Sequence, residues 1–500
     1  MKVQLLLILC AVLLIIPRFW QLDIMPQSLN RDEAALAYNG YLLSSVGQDE
    51  WGKHWPISLE SFGDFKLIGY PTVLALLFKF APLTDFWVRI PSALSGIGLI
   101  FASYWFARTL RLRKSSAMLL AGMVAITPVF IFYSRVAFEA NMALTLFVLS
   151  LTALFDDIKN PRFFKKTITL ACYLAAVLTY NSPLLLGLLL LPIIVFAYGY
   201  QNWKRWLPVF SGWLIISVAA LFVLQPVFAQ KQNITLFSDE ASVLAFNEYR
   251  SSLPASLQRI AGNKLLYFAP QIMRNVYRSF SPRFLVTQGG AHPWHSLPNW
   301  GHIYWWQYGL ALAGLVIAAR RYVLLLLLLG ISLVPSSITT DAPHATRSLL
   351  FFFLLIVLAA VAFERVSTLL GKKAWLLLFI IASVSIVRFT YSYFGEYKND
   401  QLMFQPGFSQ VITEVKQKYP NERVAIIDGG GYQYILTAWY AQLTPSEYFS
   451  TVVRQAPNQI GFRYGERVGQ FHFIAHAADR VPEETVLIEW TGLRWAITKY

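Results

Sequence analysis

Apolar residues fall along this chain in long unbroken blocks, near 3–16, 93–107, 117–133, 184–197, 209–224, 309–319, 322–334, 348–363 and 374–387. The blocks are continuous rather than alternating. With their flanks, several reach the ~20 residues that a helix needs to cross ~30 Å of hydrocarbon. Lipid offers no partner for backbone N–H and C=O groups, so a spanning segment is a helix or part of a closed barrel. Continuous apolar runs select the helix.

Polar positions then set a path. Lys and Arg gather at 108–114, 159–166, 204–205, 320–321, and at 365 with 372–373. If basic loops stay in the cytoplasm, the pattern predicts about eleven spans, near 3–18, 88–107, 116–134, 141–155, 167–181, 183–199, 207–225, 304–319, 322–336, 347–363 and 374–392. The N-terminus is then cytoplasmic, and the outer loops cover about 18–87, 225–303 and 336–346. The short apolar stretch Gly69–Pro82 holds Lys79 and would reverse the charge pattern as a span, so it is read as an interfacial helix. Past residue 395 the pattern changes. Phe408, Val411, Ile412 and Val415 repeat at helical spacing, and Val424–Asp428, Val486–Trp490 and Trp495–Tyr500 read as strands. The expected organisation is a transmembrane module over 1–395 and a small extracytoplasmic α/β domain over 396–500.

Composition sharpens this picture. The chain is 56% hydrophobic and 14% charged, against about a quarter charged in soluble domains. The net charge of +15 is accounted for by one-sided basic loops, and no basic helix or aromatic platform argues for nucleic acid. The two cysteines, Cys10 and Cys172, both lie in apolar runs, which excludes a disulfide framework. Lys2 and the apolar stretch after it resemble a signal peptide, but no small-residue cleavage site follows, so the segment is read as a retained first helix of a multi-pass protein in the cell (inner) membrane.

Candidate chemistry lies in the outer loops. Asn30-Arg31-Asp32-Glu33 places a carboxylate pair after the first span, where a helix dipole also favours acidic residues. Asp64-Phe65-Lys66 puts a cation ahead of the interfacial helix. Arg89-Ile90-Pro91-Ser92 opens the second span, with Arg89 as an anchor. Arg135 and Glu139, four apart, suit a local ion pair. Pro343-His344-Ala345-Thr346-Arg347 places His344 and Arg347 at a helix start, where imidazole, guanidinium and N–H groups can meet on one phosphate. His292, His295 and His302 are numerous enough for a metal but lack a metal-binding spacing. Asp428 and Gly429–Gly431 form a weak phosphate-loop candidate.

Taken together, these segments resemble the GT-C fold of polytopic membrane glycosyltransferases, in particular the aminoarabinose transferase and protein O-mannosyltransferase group. The likeness rests on Asp32-Glu33, on Asp64-Phe65-Lys66 running into Gly69-Tyr70-Pro71, on Arg89-Ile-Pro-Ser92, and on Pro343-His344-Ala-Thr-Arg347. It covers roughly 1–200 well and 335–365 locally. Where the family often has Asp-Pro after the third span, this chain has Glu139-Ala140.

The resemblance implies a polyprenyl-phosphate sugar donor and a glycan, lipid or protein acceptor hydroxyl. It leaves open a divalent metal. Asp32 is then the expected base, with Glu33 supporting it or holding a metal. Lys66, His344 and Arg347, with Arg135 as a further candidate, are expected to hold the lipid phosphate. A single displacement would invert the anomeric centre. A transporter or lipid flippase is the alternative, and a membrane scaffold a weaker one; neither internal repeats nor midplane polar groups support transport.

Overall fold

In the computed structural model the described residues are 15–198, 203–232, 234–290, 292, 294–397, 404–458 and 461–500. Residues 1–14, which carry most of the first expected span and Cys10, lie outside them. Each later interval expected to span falls on a helix. Among the described residues four helices are long and apolar enough to cross a membrane: Asp85–Thr109, Glu139–Lys159, Thr346–Leu370 and Lys372–Glu396. A fifth candidate is the pair Lys114–Ile126 and Pro128–Ser134, bent by 59°. Pro128 lacks the N–H that would continue the ladder, and the Thr127 hydroxyl at the break accepts a bond from Gln307 Nε2 at 2.9 Å. Shorter apolar helices occupy Ser182–Val195, Leu207–Val223 and Val323–Ser337.

Contacts divide the chain into two compact units. The first contains Ser95–Phe132 and Ala140–Phe389. Its centre is Leu349–Leu370, whose residues from Leu349 to Phe363 are all buried. The helix Trp305–Arg321 packs on it so closely that a Cβ at Gly314 would lie 2.2 Å from the Leu358 carbonyl.

The second unit contains Ile16–Leu94, Tyr133–Glu139 and Thr390–Tyr500. Its N-terminal part has the helix Arg31–Val46, the strands β1 (Ser58–Ser61) and β2 (Asp64–Leu67), and the helix Gly69–Leu77. That last helix falls where an interfacial helix was expected, and Val73, Leu76 and the nearby Phe80 are exposed. The C-terminal part is a six-stranded sheet made of β3 (Arg423–Ile427), β4 (Val453–Arg454), β5 (Gly465–Val468), β6 (Phe471–Ile474), β7 (Glu484–Trp490) and β8 (Trp495–Lys499). The strand order is β4-β5-β6-β3-β7-β8. Central β3 runs parallel to β6 and β7, and the outer pairs are antiparallel. The helix Phe408–Lys418 buries Phe408, Ile412 and Val415. These elements match the expected helix and strands; β4, β5 and β6 were not anticipated.

Candidate functional site

The helix Arg31–Val46 begins with a capping box. The Asn30 side chain accepts from the N–H groups of Asp32 and Glu33, and Glu33 Oε2 accepts from Asn30 N at 3.1 Å. This box turns the two carboxylates into different surroundings. Glu33 is fully buried. Its Oε1 accepts from Arg89 Nε at 2.9 Å and from Ala137 N at 2.8 Å. Its Oε2 also accepts from Arg89 Nη2 at 3.3 Å. The rest of the Arg89 fork donates to the carbonyls of Leu22, Pro26 and Ser28 at 2.8–2.9 Å. Arg89 is therefore the partner of an expected site residue rather than a simple anchor. The fork satisfies a chain segment that has no regular ladder of its own.

Asp32 faces a wetter space. Lys66 Nζ donates to Asp32 Oδ1 at 2.8 Å and to Asp64 Oδ2 at 2.5 Å. About a fifth of the Asp32 and Asp64 side chains is exposed, against 8% for Lys66. Burial alone would raise the Asp32 carboxyl, but Lys66 and Arg31 outweigh it and hold Asp32 below the usual carboxylate range. Burial would lower the Lys66 ammonium, but Asp32 and Asp64 hold it well above its ordinary value, with Glu139 adding to the same field. At neutral pH the Asp32 carboxylate and the Lys66 ammonium are therefore both charged. The Arg31 guanidinium lies 5.4 Å from the ring centres of both Phe62 and Tyr432.

Arg135 is in the same unit but does other work. It is buried, and it donates to the carbonyls of Pro17, Gln21 and Met25 at 2.7–3.0 Å and to the Tyr393 hydroxyl at 3.2 Å.

His344 and Arg347 belong to the first unit. Arg347 Nη1 donates to Asp341 Oδ1 at 2.5 Å and to Thr339 Oγ1 at 3.1 Å, and His344 Nε2 is 3.7 Å from Asp341 Oδ2. Arg347 and Thr339 also line a cavity of about 370 Å³ whose other walls include Leu184, Leu185, Leu188 and Leu221. An apolar cleft with a guanidinium in its wall suits a chain that carries a phosphate.

The histidines regroup. The His295 ring lies tilted against those of His344 and His292, at 4.9 and 4.6 Å between ring centres. His302 lies instead against Phe284 and Phe352, where burial drives it down to about 3 and keeps it neutral. Among the described residues no group of three or more His, Cys, Asp or Glu could hold a metal ion. In the glycine turn, Asp428 itself accepts the N–H groups of Gly430, Gly431 and Gln433, the donors that a phosphate would need. Burial raises its carboxyl to about 6.

No protein-family model matches the chain, and no curated protein sequence matches it. Solved structures do. The crystal structure of ArnT from Cupriavidus metallidurans bound to undecaprenyl phosphate superposes with a TM-score of 0.55 at 14% identity, over 87% of this chain and 84% of that one. The apo form of the same protein gives 0.52 at 12% identity, over 88% and 85%. The Archaeoglobus fulgidus oligosaccharyltransferase in complex with Zn and sulfate gives 0.51 at 11% identity, over 86% of this chain and 61% of that one. At these identities the likeness speaks for architecture alone: this chain has the GT-C fold that the two transferases share.

Proposed function

We propose that the protein is a multi-pass membrane glycosyltransferase that moves a sugar from a polyprenyl-phosphate donor to an acceptor hydroxyl on the extracytoplasmic face. The observation that carries this reading is the cavity of about 370 Å³ in which leucines and Arg347 share the wall. Leucines suit an isoprenoid, and a guanidinium suits its phosphate. The fold adds support, because the ArnT structure that shares it is bound to undecaprenyl phosphate.

In this reading the chain crosses the membrane about eleven times, with a cytoplasmic N-terminus and residues 396–500 outside the cell (inner) membrane, following the one-sided basic loops. Arg347, with His344 beside it, neutralises the phosphate. Lys66 is assigned to the same phosphate on the sequence argument. Asp32 is the base. As the acceptor oxygen attacks the anomeric carbon, Asp32 takes its proton. The carbon–oxygen bond to phosphate breaks, and the phosphate leaves with the electron pair. A phosphate leaving group needs charge stabilisation more than an acid, so cations and one base suffice. One displacement inverts the anomeric centre.

Glu33, sealed against Arg89, positions the helix that carries Asp32. Arg135 holds the 17–25 segment rather than the donor.

The test is transfer from a synthetic polyprenyl-phosphate sugar by purified protein in detergent. Cleavage of the sugar–phosphate bond with acceptor-dependent product is expected, and Arg347→Ala should raise the donor KM. Movement of intact donor across a vesicle membrane without cleavage would overturn the proposal in favour of a flippase.

A further inference from the structure

Asp64 and Lys66 stand on a hairpin of only two four-residue strands, and so small a hairpin is marginal by itself. Its register, Ser61 opposite Asp64, leaves Phe62-Gly63 as a two-residue turn. Both residues have positive φ, 43° and 85°, as a type I′ turn demands. Gly63 is needed twice over, because a Cβ there would also lie 2.6 Å from Phe462 Cα. The turn is thus seated on the 461–463 segment, with Arg463 N donating to the Phe62 carbonyl at 3.3 Å.

Beneath the turn is a carboxylate that the proposed chemistry does not use. The Glu50 side chain is wholly buried. Its Oε2 accepts from the hydroxyls of Tyr434 and Tyr448 at 3.1 and 3.2 Å and from Arg454 Nη2 at 3.2 Å. Its Oε1 accepts from the Ser61 hydroxyl. Asn39 Nδ2 also reaches Ser61 Oγ at 3.1 Å, and Asn39 Oδ1 accepts from Glu50 N at 2.8 Å. The Tyr434 hydroxyl has a second task, accepting the Phe62 N–H at 2.9 Å.

We infer that Glu50 is a positioning residue that works through Ser61 and Tyr434 to hold the β1–β2 turn, and so sets where Asp64 and Lys66 meet Asp32. Its partners come from three sources: the capped helix that carries Asp32, the hairpin that carries Lys66, and the C-terminal sheet region. That region therefore has a task in the reaction, as the wall against which the lysine hairpin is registered. Burial keeps the Tyr434 and Tyr448 phenols neutral, which suits them as donors. The inference rests on the proposed roles of Asp32 and Lys66.

Glu50→Gln strands the charge of Arg454 and endangers the fold, so the test is Tyr434→Phe, which removes one hydroxyl and keeps the ring. Hydrogen exchange in the full-length protein should quicken in the peptide spanning Ser61–Leu67 and stay unchanged in β3 and β7. Transfer should fall by about 100-fold, the scale of an ångström-sized misplacement. The acid limb of the pH–rate profile should move upward as Asp32 loses its hold on Lys66, a change that a merely structural hydroxyl would not cause. Unchanged exchange at Ser61–Leu67 would overturn the inference. So would quickened exchange with full transfer, provided Asp32→Asn and Lys66→Ala abolish transfer. If those two variants also retain transfer, it is the assignment of the reacting site that fails instead.

Discussion

Asp32 and Glu33 are neighbours in one helix cap, yet they face two unlike regions. Glu33 meets a fork of donors in a space with no exposure, and every lone pair it offers has a partner. Asp32 meets one lysine, shared with Asp64, where water still reaches the carboxylates. A sealed ion pair has nothing left to give a substrate, and removing one partner leaves the other charged and dry. A wet triad can exchange partners at small cost, as a base or a phosphate ligand must. The difference gives two neighbouring carboxylates, which spacing alone left joined, unlike surroundings: one sealed, one partly open.

The largest expected effect is on the sealed side. Glu33→Gln should destabilise the protein by about 3–5 kcal/mol, because the Arg89 charge is left buried without its counterion. Thermal unfolding in detergent reads this directly. A change below about 1 kcal/mol would mean that the Arg89 site is not dry. Arg89→Lys should follow, losing a smaller part of that stability. A lysine cannot span Glu33 and the three carbonyls together, so some would be left unsatisfied, at about 1–3 kcal/mol each.

How far this contrast was legible follows from reach. The apolar helices were legible because apolar blocks are local signals, and the strands at Val424–Asp428 and Val486–Trp490 carry dense β-branched runs. The Pro343-His344-x-x-Arg347 loop stood out through residue types alone, and the structure puts both side chains beside Asp341. What escaped notice depends on distance along the chain. Nothing near Arg89 reveals that Glu33, 56 positions away, is its partner. Arg135 reads as a partner for Glu139 or for a lipid phosphate until its three carbonyls appear. His302 was grouped with its sequence neighbours, whereas His344 is the one that joins His295. Glu50 gave no signal at all, since Tyr434 and Tyr448 lie almost 400 residues on. Strands β4 to β6 are two to four residues long, too short to hold a period.

On the wet side the effects shrink. Asp64→Asn should change stability by less than about 1 kcal/mol, since its carboxylate is partly exposed. It should also lower the acid limb of the pH–rate profile, because Asp64 is the carboxylate that pushes Asp32 upward. An upward move would mean that Asp64 acts mainly by placing Lys66. The smallest effect is linkage. The folded Asp32 carboxyl is depressed, so its contribution to stability is complete above the unfolded value of about 4 and fades as pH falls through the folded one. The stability difference between the native protein and Asp32→Asn should therefore be flat above about pH 5 and narrow only in stronger acid.

The most direct measurement is transfer by Asp32→Asn in purified, folded protein, with a synthetic polyprenyl-phosphate sugar as donor. Asn keeps the shape of the side chain and caps a helix nearly as well, so stability should change by about 1 kcal/mol or less. Removing the proton acceptor should cut turnover by about 10²–10⁴-fold, with donor binding retained. Near-normal transfer by this variant would contradict the account, and would mean that the base lies elsewhere than on the wet side of the cap.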